Sequence, residues 1–513
     1  MGANRSMKRP SVFLRESTGL VKNVSLLDAV SLNMSSMSVG TTLAILGFTT
    51  ILLPSVSGLN LVYASVIGFA LSIPQVVVYT MMSSRISRTG GDYVWVSRTF
   101  GGLFGGPISF MGFALEAIAY IALVTLSTVS ALGSVGVTMG YSGLLNLAIP
   151  GADPSAQFVI GAVIFTAIIL LNVARPKAGF RFLTVLMAVG IFTILLAFAE
   201  LLFAGRTGVE NYVNSLGGGI SYDAIASSYT GGTFDLGNTM TIVPLFAFFV
   251  YPWFIAAPAV GSEIKSKRSM RWNVALSALI ALVLMTASFE IMYYVGGFDF
   301  IDGALSNSNL VNNYSFNFWT LAMGVSGNSA AAWLLGIGWI VWDLAALGYG
   351  IVVISRYFLA QAFDRFLPSQ MAYVSPRTGS PVVAHMVDLI VSIALIGAAS
   401  FLYGSFVSLY GAALANWIYF IAVGAAGTFY AIRHEKARAK AVLAVSGILM
   451  SVVFVYLLYE FLALPSIYGG NLLAYGYVAA SYVLGLGIYL ASRRYYGRRG
   501  IDISLAFKEI PPE

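Results

Sequence analysis

Ser35-Ser-Met-Ser-Val-Gly-Thr-Thr42 sits in the middle of an otherwise apolar run, residues 25–53, and Phe249-Val-Tyr-Pro-Trp253 sits near the centre of another, residues 237–262. The first stretch has poor helix propensity and many hydroxyls that bond to nearby backbone. The second carries Pro252, with Pro244 and Pro258 on either side. A central proline removes one backbone hydrogen bond and clashes with the preceding turn. In lipid, backbone groups freed in this way persist only where they are buried in protein or line a cavity.

A membrane span needs about 20 apolar residues to cross about 30 Å of hydrocarbon. Twelve such runs can be read, at 25–53, 60–82, 104–136, 157–174, 180–204, 237–262, 272–297, 330–355, 381–403, 406–432, 441–463 and 472–494. The interrupted runs are the first and the sixth, the leading members of two successive sets of five. Five is odd, so the second set enters from the opposite face, as in an inverted repeat. Interrupted helices at matching positions of two such halves point to a transporter's central binding site. The expected fold is an all-α polytopic membrane protein with 12 transmembrane helices, a 5+5 inverted repeat and two peripheral helices. Its parts are a tail (1–24), a first repeat (25–204), an outer loop (205–236), a second repeat (237–432), two peripheral helices (433–494) and a second tail (495–513).

The charges support the same topology. Of the 28 Lys and Arg residues, all but Arg206 fall on the face that holds both termini. Cationic loops are retained in the cytoplasm during insertion, so both termini are expected inside, in the cytoplasmic membrane. The chain is 58% hydrophobic and 10% charged, with a mean hydropathy of +0.83, far from the quarter charged that is usual in soluble domains. The net charge of +7 follows from the inside bias, so no nucleic-acid partner is implied. The absence of Cys and the presence of only two His, His385 and His434, argue against a thiolate or clustered metal site, and no cofactor is called for. The polar, basic residues 1–24 read as a tail leading into the first run, so no cleavable signal peptide is expected. No phosphate-binding Gly-x-x-x-x-Gly-Lys-Ser/Thr occurs, which argues against ATP-driven transport by this chain. With no intramembrane nucleophile or His pair, the chain is not expected to be an enzyme.

Ser84-Arg-Ile-Ser-Arg-Thr-Gly-Gly-Asp-Tyr-Val-Trp-Val-Ser-Arg98, followed by Phe100-Gly-Gly102, resembles the loop after the second helix of amino acid–polyamine–organocation (APC) permeases. Glu263-Ile-Lys-Ser-Lys-Arg268 is similar to that family's exit from the sixth helix, and the tail Gly500–Pro512 to the C-terminus of its prokaryotic members. The resemblance implies a LeuT-like fold that moves amino acids or related amines by alternating access. Two features depart from the family. The first break has Gly40 alone where members often carry Gly-x-Gly, and the fifth run has no internal Lys, so a Lys-based coupling mechanism does not carry over.

The breaks supply the expected substrate site. Half-helix N-termini bind an anionic group, and freed carbonyls bind an ammonium or inorganic cation. The candidate binding residues are Ser36, Ser38, Val39, Gly40 and Thr41 in the first break, and Phe246, Phe249, Val250, Tyr251 and Trp253 in the sixth. Gly40 would let backbone approach the ligand closely. No Lys, Arg or His is read inside any helix, whereas Glu116 and Asp343 lie about a dozen residues into runs three and eight, about 18 Å deep at 1.5 Å per residue. An ionisable group at that depth is a functional candidate by default, and these two are the expected ion-coupling residues. Glu200, Glu290, Asp388 and Glu460 lie nearer helix ends and are expected to be interfacial. The partners implied are the lipid bilayer, a small amino acid or amine, and H⁺ or Na⁺. The alternative cargo on the same fold is a polyamine, another organic amine or potassium.

Overall fold

The computed structural model describes residues 19–404 and 408–510; the side chains at 114–116, 118, 248, 313, 314, 408 and 410 lie outside that description. The described residues form helices, with only two isolated β-bridges, Val24 to Ile264 and Thr89 to Val260. In chain order the helices are α1 (Leu26–Met37), α2 (Val39–Thr50), α3 (Leu61–Arg85), α4 (Asp92–Ser109), α5 (Glu116–Thr138), α6 (Leu145–Ala148), α7 (Pro154–Ala174) and α8 (Pro176–Ser215). They continue as α9 (Tyr222–Ser228), α10 (Leu236–Leu245), α11 (Ala256–Ala259), α12 (Lys267–Gly296), α13 (Phe298–Ser306), α14 (Ser308–Tyr314) and α15 (Phe318–Val325). The last are α16 (Ser329–Phe363), α17 (Val382–Phe401), α18 (Leu414–His434), α19 (Ala437–Ala463), α20 (Pro465–Tyr468) and α21 (Leu472–Gly497).

Among the described residues, eleven helical stretches are long and apolar enough to cross a membrane. The sixth run is not among them, because its chain is interrupted between α10 and α11. Burial sorts the spans. The most apolar stretches of α1–α2 and α16 are 94% and 83% buried, against 28% for α19 and for α21, so the first pair forms the core and the second faces outward. α16 packs against α1, α2, α5 and α8 and is the central strut. α8 passes residue 204, where the sequence ends the fifth run, and kinks at Gly205 (φ 58°) before continuing to Ser215.

The basic end is drawn together by backbone. Val24 N donates to Glu263 O (2.9 Å) and Lys265 N to Val24 O (2.9 Å), joining the start of the first run to the exit of the sixth. The Gly90-Gly91 turn has positive φ at both residues (82° and 43°). A Cβ on Gly91 would sit 2.8 Å from the Pro258 carbonyl oxygen, so only glycine allows the loop to lie this close. From there Gly90 N donates to Ala259 O (2.8 Å). Asp92 then opens α4 and accepts hydrogen bonds from the Tyr79 and Tyr357 hydroxyls. The Gly-Gly-Asp-Tyr segment is thus a clamp on the end of the sixth run.

Two sequence expectations need correction. Arg356 and His385 are basic side chains inside helices, 1% and 0% exposed. Hydropathy ends the eighth run at 355, but α16 continues to Phe363 because Glu263 neutralises Arg356 by a two-pronged pair (2.9 and 3.0 Å). Asp388, expected at an interface, is 0% exposed and accepts from Ser392 Oγ at 3.0 Å, because its helix turns that face inward against α5 and α7.

Candidate functional site

The first run breaks at one residue. α1 starts with a capping box between Ser25 and Asp28 and ends at Ser38, which takes a left-handed conformation (φ 46°, ψ 52°). The next residue begins α2, and the Ser38 side chain does not cap it. The first N–H groups of a helix have no intrahelical acceptor, and at the start of α2 these belong to Val39, Gly40 and Thr41. Ser38 Oγ instead donates to Thr41 Oγ1 (2.8 Å). Thr41 Oγ1 in turn donates to Asp343 Oδ1. From the other side, Ser127 Oγ of α5 stands 3.5 Å from Asp343 Oδ2. Asp343 is 0% exposed. A chain of hydroxyls thus runs from the break in the first helix to the carboxyl at the centre of α16.

The sixth run unwinds over a longer stretch. After α10 the chain makes a π turn at Phe246–Val250 and a 3₁₀ turn at Tyr251–Trp253, with helix resuming at Ala256. Side chains from neighbouring elements satisfy the freed groups. Gln75 Nε2 donates to Pro252 O (3.2 Å), and Ala257 N donates to Asn33 Oδ1 (2.7 Å). Asn33 belongs to α1 and also donates to Asn273 Oδ1 and Ser277 Oγ of α12, so one side chain ties the first run to the sixth and seventh.

The expected site residues separate into groups. Ser38, Thr41 and Asp343 meet directly, and Val39 and Gly40 lie in the same turn. Ser36 is 5% exposed and its hydroxyl has no partner among the described residues. Trp253 faces the same interior, its ring parallel to Tyr120 of α5 at 6.4 Å and edge-on to Phe420 at 6.0 Å. Phe249 and Val250 are buried within the π turn. Phe246 and Tyr251 point elsewhere. Phe246 packs on Gly68 and Phe289, and the Tyr251 hydroxyl bonds Ser65 beside Thr286. The side chain of Glu116 lies outside the described residues.

Gly40 has a clear packing role. A Cβ there would overlap the Trp342 indole, while the Gly40 carbonyl accepts from Trp319 Nε1 (2.8 Å). The close neighbour that requires glycine is therefore a buried tryptophan. Sequence reasoning missed Trp342, Trp319, Ser127 and Asn33; of these, only Ser127 carried a signal, as a hydroxyl inside the third run.

Two buried ion pairs lie between this centre and the basic end. Beyond Arg356–Glu263, Arg98 Nη2 donates to Asp364 Oδ1 (2.8 Å), the second prong being Nη1 to Oδ2. Tyr93 donates to Asp364 Oδ2 as well (2.8 Å). Arg98 also donates to Glu509 O (3.1 Å) and lies over the Phe507 ring, bringing the last described turn into the lock.

Two interrupted helices, one of them joined to a buried carboxyl, inside a helical bundle with many apolar spans, are the features of a multi-pass membrane protein. The chain belongs to the amino acid permease family, whose profile matches residues 24–487, and this is a family of transporters. The chain is also similar to "Uncharacterized protein 399" of Sulfolobus islandicus rod-shaped virus 1, with 23% identity over 278 residues. That match covers 54% of this chain and 58% of the viral protein, so the chain spans a little over half the length of that relative.

Proposed function

We propose that the protein is a secondary active transporter that carries amino acids across the cytoplasmic membrane by alternating access, with both termini inside. The carrying observation is the line Ser38–Thr41–Asp343, which joins the break in the first helix to the carboxyl of α16. The substrate carboxylate sits on the N–H groups of Val39, Gly40 and Thr41, where the helix dipole favours an anion. The substrate ammonium sits against Asp343 and the carbonyls freed near Phe249–Tyr251, with Trp253 closing over it. Residues 25–204 and 237–432 act as the two inverted halves, and 433–494 as the peripheral pair.

Asp343 also serves as the coupling site, with Glu116 as its counterpart in the other half. Desolvation penalises a lone charge, so proton loading accompanies closure of the site and release accompanies its hydration. The energy scale suffices, since one charge moved through 100 mV supplies about 2.3 kcal/mol. The test is transport by the full chain in proteoliposomes. Asp343→Asn, whose amide oxygen still accepts from the ammonium, is expected to keep substrate exchange at lowered affinity and to lose accumulation driven by an imposed proton gradient. Accumulation equal to the parent in both Asp343→Asn and Glu116→Gln would overturn the coupling assignment.

A further inference from the structure

Along α5, Tyr120, Leu123, Ser127 and Ser130 are all partly exposed. Their spacing of three, four and three residues places them on one helix face. That face does not look toward lipid. Tyr120 lies parallel to Trp253 of the sixth-run break, and Ser127 reaches the fully buried Asp343. The exposure along this stripe therefore opens onto a space inside the protein, beside the proposed substrate site.

α16 runs antiparallel to α5. Gly336 faces Val135, and Gly350, fourteen residues on, faces Ile121. One turn away from the basic end lies Ser130 above Ser127 on α5, and Trp339 above Asp343 on α16. Ser130 and Trp339 thus lie at the same depth, each one turn from the Ser127–Asp343 contact. Trp339 Nε1 and Ser130 Oγ are both buried without a hydrogen-bond partner among the described residues, although Trp339 is only 6% exposed. An indole N–H can only donate, and a buried donor left unmade is costly. What completes it is an acceptor on a molecule held beside Asp343, since Trp339 lies one helical turn along α16 from that carboxyl.

We propose that Trp339 and Ser130 form a side-chain subsite that selects amino acids bearing a neutral acceptor, a hydroxyl or a carboxamide, over aliphatic isosteres. The inference rests on the transporter reading and specifies its substrate. With the ammonium on Asp343, the side chain of the amino acid extends along the α5 stripe and accepts from Trp339 Nε1. Ser130 Oγ, which can both donate and accept, completes the partner set for a carboxamide. An acidic side chain is disfavoured by its repulsion from Asp343. Sites built around buried hydrogen-bonding groups reject analogues that lack the group far more strongly than apolar pockets reject a missing methylene.

The experiment is counterflow into proteoliposomes of the purified full chain, comparing labelled L-threonine with L-valine and L-glutamine with L-methionine. The polar member of each pair is expected to be favoured at least tenfold. Trp339→Phe and Ser130→Ala are each expected to move that ratio toward unity, the tryptophan change by about tenfold. Equal uptake within each pair, or preference for the aliphatic member, overturns the subsite while leaving the transporter reading in place. Ratios unchanged in both variants also overturn it. Absence of counterflow with every amino acid overturns the transporter reading and the subsite with it. The wild-type comparison decides the matter even if a variant fails to fold.

Discussion

Asp343 shows how much a single residue can reveal through its place in the chain, and Gly40 shows the opposite. An acid a dozen residues into an apolar run is conspicuous in any sequence, and its depth follows from helical rise alone. Its partners are less visible, since Thr41 lies 302 residues away in the chain. Gly40 is equally conspicuous, yet its reason is the Trp342 indole packed against it, a contact no local pattern encodes. Gly40→Ala is therefore expected to lower thermal stability by about 1–3 kcal/mol through overpacking, with Trp342→Phe recovering part of the loss in the double variant. The Arg356–Glu263 pair yields a sharper contrast. Its side chains are 1% and 4% exposed, so Glu263→Ala leaves a buried charge unmatched, and the expected cost is about 3–5 kcal/mol. Replacing both members with apolar residues of similar volume, Glu263→Leu with Arg356→Met, is expected to cost less than Glu263→Ala alone. Unfolding of the parent, Glu263→Ala and the double variant in detergent measures the difference.

At the scale of elements, both interruptions fall where hydroxyls and prolines crowd the apolar runs, and both are readable as breaks. Which way the side chains point after the break is not readable. A π turn adds a residue to the helical repeat, so the phase that would assign faces to Phe246 and Tyr251 is lost inside Phe246–Val250. The two aromatics accordingly lie against α3 and α12 instead of the interior. The short helices α13, α14 and α15 lie within residues 298–327, a stretch that carries no Lys or Arg. There α13 brings Asp302 under the Tyr293 hydroxyl (2.9 Å), 1% exposed. Burial pushes its carboxyl well above the usual range, against the opposing hydrogen bond from Tyr293. The folded form then holds the proton more tightly than the unfolded chain. The contribution to stability is full below the ordinary aspartate range and is lost as pH rises toward the folded value. Hydrogen exchange over residues 298–306, corrected for intrinsic rate, should show protection falling as pH rises from about 4, the ordinary aspartate value, and Asp302→Asn should flatten that dependence.

For the whole molecule, the concentration of cations on one face and the count of apolar runs were enough to establish a helical multi-pass protein. What they could not convey is that several of those cations are not loop charges at all. Arg98 and Arg356 are structural, held by Asp364 and Glu263, because a buried guanidinium is tolerated only with a matched carboxylate. The pairings span too much chain for any motif to carry them. They also impose an order in time. Ribosomes add about 5–20 residues per second, and Arg356 follows Glu263 by 93 residues, a wait of about 5–20 s at that rate. Arg98 must wait for Asp364, 266 residues on, and for the Glu509 carbonyl, 411 residues on. During synthesis the basic end therefore stays open and wet long after the early helices are in place, and it is sealed from the C-terminal half backwards. A ribosome stalled before residue 356 would leave a half-built bundle with none of these locks closed.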